Sequence, residues 1–392
     1  MKSKSIKLLS IQLLLLFSLI ELSSIILFRG RIRKLYPLYL NLAGPQSQKG
    51  HIERGYPRWH FTNHPQRGFD IKPMGAKIKT QKPLESSPYY VWGNSIGCFD
   101  KEIPKGQRYS IYLAGDSFTW GYAPFEKKFG TVLEKKIKSP VAKCGVTHTG
   151  TKHQFDKFLE ITQKLGYFPS TVIVSIYEND ISNDFFYPHT RVVQGYQVDN
   201  IAWRLDKDGE LEVKRFSDKY LDQKYREWKR WPINIKDSRQ ILATSVMTSE
   251  LFKLLGKPYT KSQASTRVIW EKHIGAPLFS NDDLKEGYPI NSKAAVKNKS
   301  AIIDWIKHSK QNGYMLYFSP IPCKEKKIRQ CFYQSLHDFI TTQNGVSWDF
   351  ESKIIKPNIR RRELYWNKDG HYNVRGNKIY AMFLYDQLKL MP

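Results

Sequence analysis

Cysteine is scarce in this chain, four in 392 residues, and no two of the four share a C-x-x-C or other metal-ligand spacing, so a cysteine-built metal site is not expected. Acidic residues are also in short supply: 36 Asp and Glu stand against 63 Lys and Arg, leaving a formal net charge of +27. A surplus of that size points to an anionic partner, whether nucleic acid, a membrane surface or an acidic polymer such as a cell-surface glycan. No zinc-finger, RNA-recognition or basic-zipper signature is present, so no nucleic-acid partner is expected. Internal repeats are missing too, as is the G-x-S-x-G elbow, which argues against the α/β-hydrolase fold. The chain does not lack core-forming residues. Hydrophobic residues make up 41% and aromatics 14%, enough to exclude global disorder and to fill one large α/β domain with additions or two smaller domains.

Only one long apolar run occurs. Residues 8–28, LLSIQLLLLFSLIELSSIILF, match the roughly 20 residues that a membrane-spanning helix needs. Gln12 and the off-centre Glu21 are outweighed by Leu and Ile. A cleaved signal peptide is the competing reading, but its apolar region is shorter and ends in small residues, whereas this one runs into LFRGRIRK. Residues 1–35 are therefore expected to be an uncleaved membrane anchor. Lys2, Lys4 and Lys7 before it nearly balance Arg29, Arg31, Arg33 and Lys34 after it, so charge alone does not orient it. Cys323 and Cys331 flank a short basic segment and would close a small disulfide loop in an oxidising compartment, which favours a C-terminal part outside the cytoplasm. Cys144 reads as a buried thiol.

Residues 36–104, rich in Pro, Gly, His and aromatics, read as an irregular stalk and lead-in. From 105 the pattern alternates. Apolar strands are expected at 109–114, 141–145, 171–177, 314–319 and 346–350, with amphipathic helices around 126–137, 154–165, 294–310, 328–341 and from 374. Residues 185–275 interrupt the alternation as an insertion. It holds a hairpin over 203–213 with Asp208–Gly209 at its turn, a basic aromatic segment at 220–231 and a helix at 249–255. Five strands alternating with helices predict a three-layer α/β/α sandwich around a mainly parallel sheet.

Three polar clusters fall where such a sheet collects chemistry, in loops after strands or at a helix start. They are GDSFTWG with Ser117, YENDISND with Asn179 and Asp180, and DGHYNVRG with Asp369 and His371. Each alone reads as a turn or helix cap. Together they are complementary. A serine becomes a nucleophile when a histidine takes its proton, and the imidazole needs a carboxylate to hold its tautomer. Asp369 and His371 come from one short loop. A developing oxyanion needs N–H donors, which the Asn179 amide, the Ser117 backbone and the loop 144–150 would supply. The other histidines, such as His148, His153 and His189, read as loop or surface residues. The Lys/Arg-rich run at 214–230 reads as a solvated face or a seat for an anionic ligand.

The ordered blocks GDSFTWG, KCGVTHTGT, YEND and DGHYN resemble those of the SGNH (GDSL-type) hydrolase superfamily, and NSIGCFDKE ahead of them is similar to its membrane-anchored bacterial members. The resemblance covers about residue 93 to the C-terminus, apart from the insertion. It implies a flavodoxin-like sandwich, ester or acetyl-ester chemistry on an acylated glycan or lipid, and neither metal nor organic cofactor. Carried over by position, Ser117 is the nucleophile, His371 the base and Asp369 its orienter, with Ser117, Asn179 and the residue at 148 around the oxyanion. Departures from the pattern fall in the second block, where Lys143 replaces Asn and His148 replaces Gly, and in the last, where D-x-H is one residue shorter than D-x-x-H. Tyr177 stands where Gly is common. A quiet envelope protein that binds an acidic polymer through its basic face is the alternative.

Overall fold

The computed structural model describes residues 12, 15–19, 58–80, 88–205, 211–223, 295–324, 333–355, 359–367 and 369–391. Among these no helix is long and apolar enough to cross a membrane. Most of the apolar run at 8–28 lies outside the described residues, as do the expected helix at 249–255, Asp208–Gly209, residues 224–231 of the basic segment, and Cys331.

In chain order, β1 (Phe61–His64) and β2 (Gly68–Ile71) form an antiparallel pair, and β3 (Ile78–Lys79) and β4 (Tyr90–Val91) a second. The alternating part follows as β5 (Ile111–Gly115), α1 (Ser117–Trp120), α2 (Phe129–Ile137), β6 (Val141–Lys143), α3 (Thr151–Leu165), β7 (Thr171–Ile176) and α4 (Asp180–Phe186). Two hairpins open the insertion, β8 (Thr190–Val193) with β9 (Tyr196–Asp199), and β10 (Ile201–Leu205) with β11 (Leu211–Arg215). The second pairs Trp203 with Val213 as the sequence predicts. The alternation resumes with α5 (Val296–Asn312), β12 (Met315–Pro320), α6 (Tyr333–Thr342), β13 (Val346–Ser347) and α7 (Val374–Lys389).

The central sheet is five-stranded and parallel throughout, in the order β6-β5-β7-β12-β13. Strand β7, TVIVSI, is buried at every position, which is why it reads as a continuous apolar run rather than an alternating one. Val172, Val174 and Ile176 point to one face, where Phe158, Ile302, Trp305 and Phe339 cover them. Ile111, Leu113 and Ile173 point to the other, against Phe129, Leu133, Tyr380 and Leu384. Helices thus cover both faces, giving the three layers expected. Counted along the chain the strand order is the flavodoxin-like 2-1-3-4-5, whose switch point lies between β5 and β7. Chains leaving these two strands diverge to opposite faces and open a crevice at their carboxyl ends.

The lead-in differs from its expectation. Within residues 58–104, Phe61, Phe69, Ile71, Val91 and Phe99 are buried with Trp120, Tyr122, Phe125 and Val146 of the sandwich in one cluster. Buried charges fasten it. Lys157 of α3 reaches Asp70, which also takes Arg67, and these two cations hold the Asp70 carboxyl well below the usual carboxylate range despite its burial. Lys143 pairs with Asp100 at 2.8 Å and with Glu134 at 3.1 Å. Lys128 donates to the Phe99 carbonyl at 3.0 Å and lies 3.9 Å over the Phe99 ring.

Cys144 is not a thiol: it is disulfide-bonded to Cys98 in the lead-in, across a sequence separation of 46. Cys323 is disulfide-bonded as well, and its expected partner Cys331 lies outside the described residues. A crosslink closing a loop as long as Cys98–Cys144 stabilises by restricting the unfolded chain, by about 4 kcal/mol. Cys98→Ser combined with Cys144→Ser is therefore expected to lower the melting temperature by several degrees. Thermal scans of the variant and of the parent, with and without reductant, would check this; an unchanged Tm would rule the crosslink out as a stabiliser.

Candidate active site

Strand β5 ends at Gly115, where the chain turns into the single-turn helix α1. A Cβ on Gly115 would fall 2.1 Å from the Thr119 hydroxyl and 3.0 Å from the Ser175 carbonyl, and its φ is +153°, so only glycine lets the chain turn here. Asp116 caps the turn, its Oδ1 accepting the Phe118 N–H at 2.9 Å. This places Ser117 at the carboxyl end of β5, buried to 5% exposure. The cap of α1 is thus Asp116 rather than Ser117.

At the far end of the chain, Tyr365 and Tyr372 form an isolated antiparallel bridge, and the Trp366 N–H donates to the His371 carbonyl at 3.0 Å. Those ties close a tight loop that carries Asp369 and His371. His371 Nε2 lies 2.7 Å from Ser117 Oγ, joining residues 254 apart in sequence. Its Nδ1 hydrogen-bonds Asp369 Oδ1, and its backbone N–H donates to the same oxygen at 2.9 Å. The one-residue shortening of the D-x-H block therefore does not separate acid from imidazole: the backbone contact folds the loop tightly enough to compensate. Tyr122 and Phe118 flank the imidazole, with ring centroids 4.2 and 5.0 Å away. Both hold its plane, with Ser117 on Nε2 and Asp369 on Nδ1.

Asn179 follows β7, as expected, at the start of α4. Its side chain hydrogen-bonds the Asp116 carboxylate, so the carboxamide donates one N–H there and keeps a second for another acceptor. Asp116 is fully buried, and burial raises its carboxyl above the usual range against the pull of the Phe118 N–H and His371. Its Oδ2 is 3.2 Å from Ser117 Oγ, longer than the distance to His371, so the imidazole is the better-placed acceptor for the hydroxyl proton.

The loop after β6 packs under α1. A Cβ on Gly145 would sit 2.3 Å from the Trp120 nitrogen, so the glycine allows backbone to lie on backbone. His148 adopts φ +62°, a left-handed conformation that glycine enters more readily than other residues. Histidine is among the non-glycine residues that enter this region, and its side chain is anchored, Nε2 lying 3.0 Å from Asp199 Oδ1. Lys143 takes no part in the site; its ion pair with Asp100 is structural.

Other positions were not legible in the sequence. Lys324 Nζ donates to the carbonyls of Trp366 and Asn367, both at 2.6 Å, and of Asp369 at 3.2 Å, fixing the loop from the end of β12. Its place just past an apolar strand was the only signal. His153 and His189 are not surface residues. His153 is 1% exposed and His189 8%, and burial lowers both imidazoles to about 3.

No family model matches the chain, and no curated protein matches it. Among solved structures it is similar to a G-D-S-L family protein from Desulfitobacterium hafniense DCB-2, at 12% identity over 71% of this chain and 98% of that one, with a TM-score of 0.36. The psychrotrophic esterase EstA from Pseudoalteromonas sp. matches at 10% identity over 71% and 97%, with a TM-score of 0.33. An acetylxylan esterase from Geobacillus stearothermophilus matches at 9% identity over 74% and 98%, with a TM-score of 0.34. Likenesses this weak carry no argument about chemistry. That rests on the residues at the switch point.

Proposed function

We propose that the chain is a serine ester hydrolase of the SGNH type. The observation that carries this is the contact of Ser117 Oγ with His371 Nε2 at 2.7 Å, with Asp369 on the opposite ring nitrogen. Ser117 Oγ attacks the acyl carbonyl while its proton passes to His371 Nε2, and Asp369 balances the imidazolium. The oxyanion takes hydrogen bonds from the second Asn179 N–H and from backbone N–H groups of Ser117 and His148. Collapse expels the alcohol, which leaves with the His371 proton. A water or a sugar hydroxyl, deprotonated by the same imidazole, then releases the acyl group from Ser117. Hydrolysis and transfer differ only in which acceptor reaches the acyl-enzyme.

The acyl group is small, acetyl by preference, and it is carried by a cell-envelope glycan or lipid. The apolar run at 8–28 supports membrane anchoring, and the Cys98–Cys144 disulfide supports an oxidising compartment. Purified protein is expected to be labelled covalently by a fluorophosphonate probe, and Ser117→Ala to abolish that labelling. If folded protein is not labelled, or if Ser117→Ala is labelled equally, the reading fails.

A further inference from the structure

His148, His189 and Asp199 come from three places: the loop after β6, the residue before β8 and the last residue of β9. Their potential ligand atoms all lie within 4.8 Å of one another. His148 Nε2 is 3.0 Å and His189 Nε2 4.0 Å from the same oxygen, Asp199 Oδ1, and the two imidazole centroids are 5.1 Å apart. We propose that these three side chains bind a divalent transition-metal ion of the zinc class, with a fourth position left to water or another ligand. The site does not depend on the esterase reading, but it shares His148 with it: the side chain is the ligand here, whereas the backbone N–H is the proposed oxyanion donor.

Several observations converge. An ordinary ion pair would use one imidazole and one carboxylate, yet a second imidazole, 8% exposed, is directed at the same carboxylate oxygen. A single proton between His148 and Asp199 does nothing for His189, whereas a cation with two nitrogen ligands and one oxygen ligand serves all three. Imidazole with one carboxylate is a donor set that suits zinc. A tetrahedral shell with zinc–ligand bonds of about 2.0–2.1 Å needs ligand atoms about 3.3–3.5 Å apart. His148 has to open slightly from Asp199 at 3.0 Å, and His189 has to close on Asp199 from 4.0 Å and approach His148, whose ligand atom lies within 4.8 Å, shifts of the size that side-chain rotation produces.

The supporting backbone is already fixed. Thr190 pairs with Asp199 in the β8–β9 register, and the Asn200 N–H donates to the His189 carbonyl at 2.8 Å, so two of the three ligands face each other across one hairpin end. The third is His148 in its left-handed conformation, a local strain at a ligand-rich position. Arg215 opposes a cation here, but its guanidinium is turned to the Pro188 and Phe186 carbonyls at 2.6 and 3.1 Å.

The test titrates metal-free, untagged full-length protein with Zn(II), and with Co(II) for its visible spectrum. One ion per chain is expected, with Co(II) showing the strong visible bands of a four-coordinate site and Zn(II) displacing it. His189→Gln and Asp199→Asn should each weaken binding about tenfold or more, with thermal melting confirming that they fold. Absence of stoichiometric binding by the wild-type protein, or binding by both folded variants as tight as wild type, overturns the proposal. Should either variant misfold, imidazole nitrogen NMR of the wild-type protein decides. Zn(II) must then shift the His148 and His189 resonances together, and leaving either unmoved overturns the site.

Discussion

His371→Ala is expected to lower kcat for a small activated ester such as p-nitrophenyl acetate by about 10^6-fold, close to removal of the whole triad, because nucleophile and base act as one unit. The Ser117 hydroxyl would keep only the Asp116 carboxylate at 3.2 Å as an acceptor. That group is fully buried and its pKa is raised by burial, but it also accepts the Phe118 N–H that caps α1, so it is committed elsewhere. Asp369→Asn should cost less than the roughly 10^4-fold that follows when an imidazole is forced into the wrong tautomer. One oxygen, Oδ1, accepts both the ring N–H and the backbone N–H of His371. An asparagine oxygen can keep both bonds and the tautomer, losing only the charge opposite the imidazolium. The expected order of loss is His371→Ala, then Asp369→Ala, then Asp369→Asn. Steady-state kinetics on the three variants would check it, and activity above a tenth of wild type in His371→Ala would remove His371 from the base role.

The second large effect is on stability. His60 accepts the Trp120 indole N–H on Nε2 at 3.0 Å, so it is neutral with its proton on Nδ1; protonating Nε2 would set two N–H groups against each other. His153 donates Nε2–H to the Phe69 carbonyl at 2.9 Å. Both are buried, and burial lowers both from 6.5 to about 3. The unfolded chain takes up these protons near pH 6.5 while the folded one does not, so their contribution is intact above that pH and is lost as pH falls towards 3. Between pH 7.5 and 4 each forfeits about 3 kcal/mol. Asp184 works in the opposite sense, since burial raises it to about 7 and the folded state then holds its proton longer than the unfolded one. The absolute pH curve therefore mixes signs, and the informative quantity is a difference. His60→Gln with His153→Gln, whose carboxamides can replace the neutral ring contacts, should gain on wild type by about 6 kcal/mol as pH falls from 7.5 to 4. Denaturant unfolding of both proteins at the two pH values would measure it, and parallel curves would refute the buried neutral histidines.

The sheet was legible because its signals are local. The run TVIVSI is too apolar to be anything but a doubly covered strand, and Gly115 marks where β5 must turn. Ser117, Asn179, Asp369 and His371 were legible for a related reason: each follows a strand or opens a helix, and a parallel sheet brings such positions together. The disulfide was not. Cys323 and Cys331 attracted attention by their spacing, whereas the pairing of Cys98 with Cys144 is decided by how the lead-in docks. The burial of Lys128, Lys143 and Lys157 was not legible either, because a lysine's burial depends on a partner elsewhere in the chain. His189 and Asp199 gave no hint of meeting His148, since a hairpin end and a loop 51 residues away meet only in space.

Those three lysines also bear on where this chain can be divided. Lys128, Lys143 and Lys157 are each 1% exposed, and Phe99, Asp100, Asp70 and the Gly97 carbonyl, all in the lead-in, supply their principal counter-contacts. Without the lead-in, Lys128 would lose the Phe99 carbonyl and Lys157 would lose Asp70 and the Gly97 carbonyl, while Lys143 would keep Glu134 and the Val141 carbonyl. The lead-in alone would leave Asp100 without Lys143, and Asp70 with Arg67 but without Lys157. Sandwich and lead-in are therefore matched in charge as well as in apolar surface, so neither is a self-contained domain if divided at residue 105.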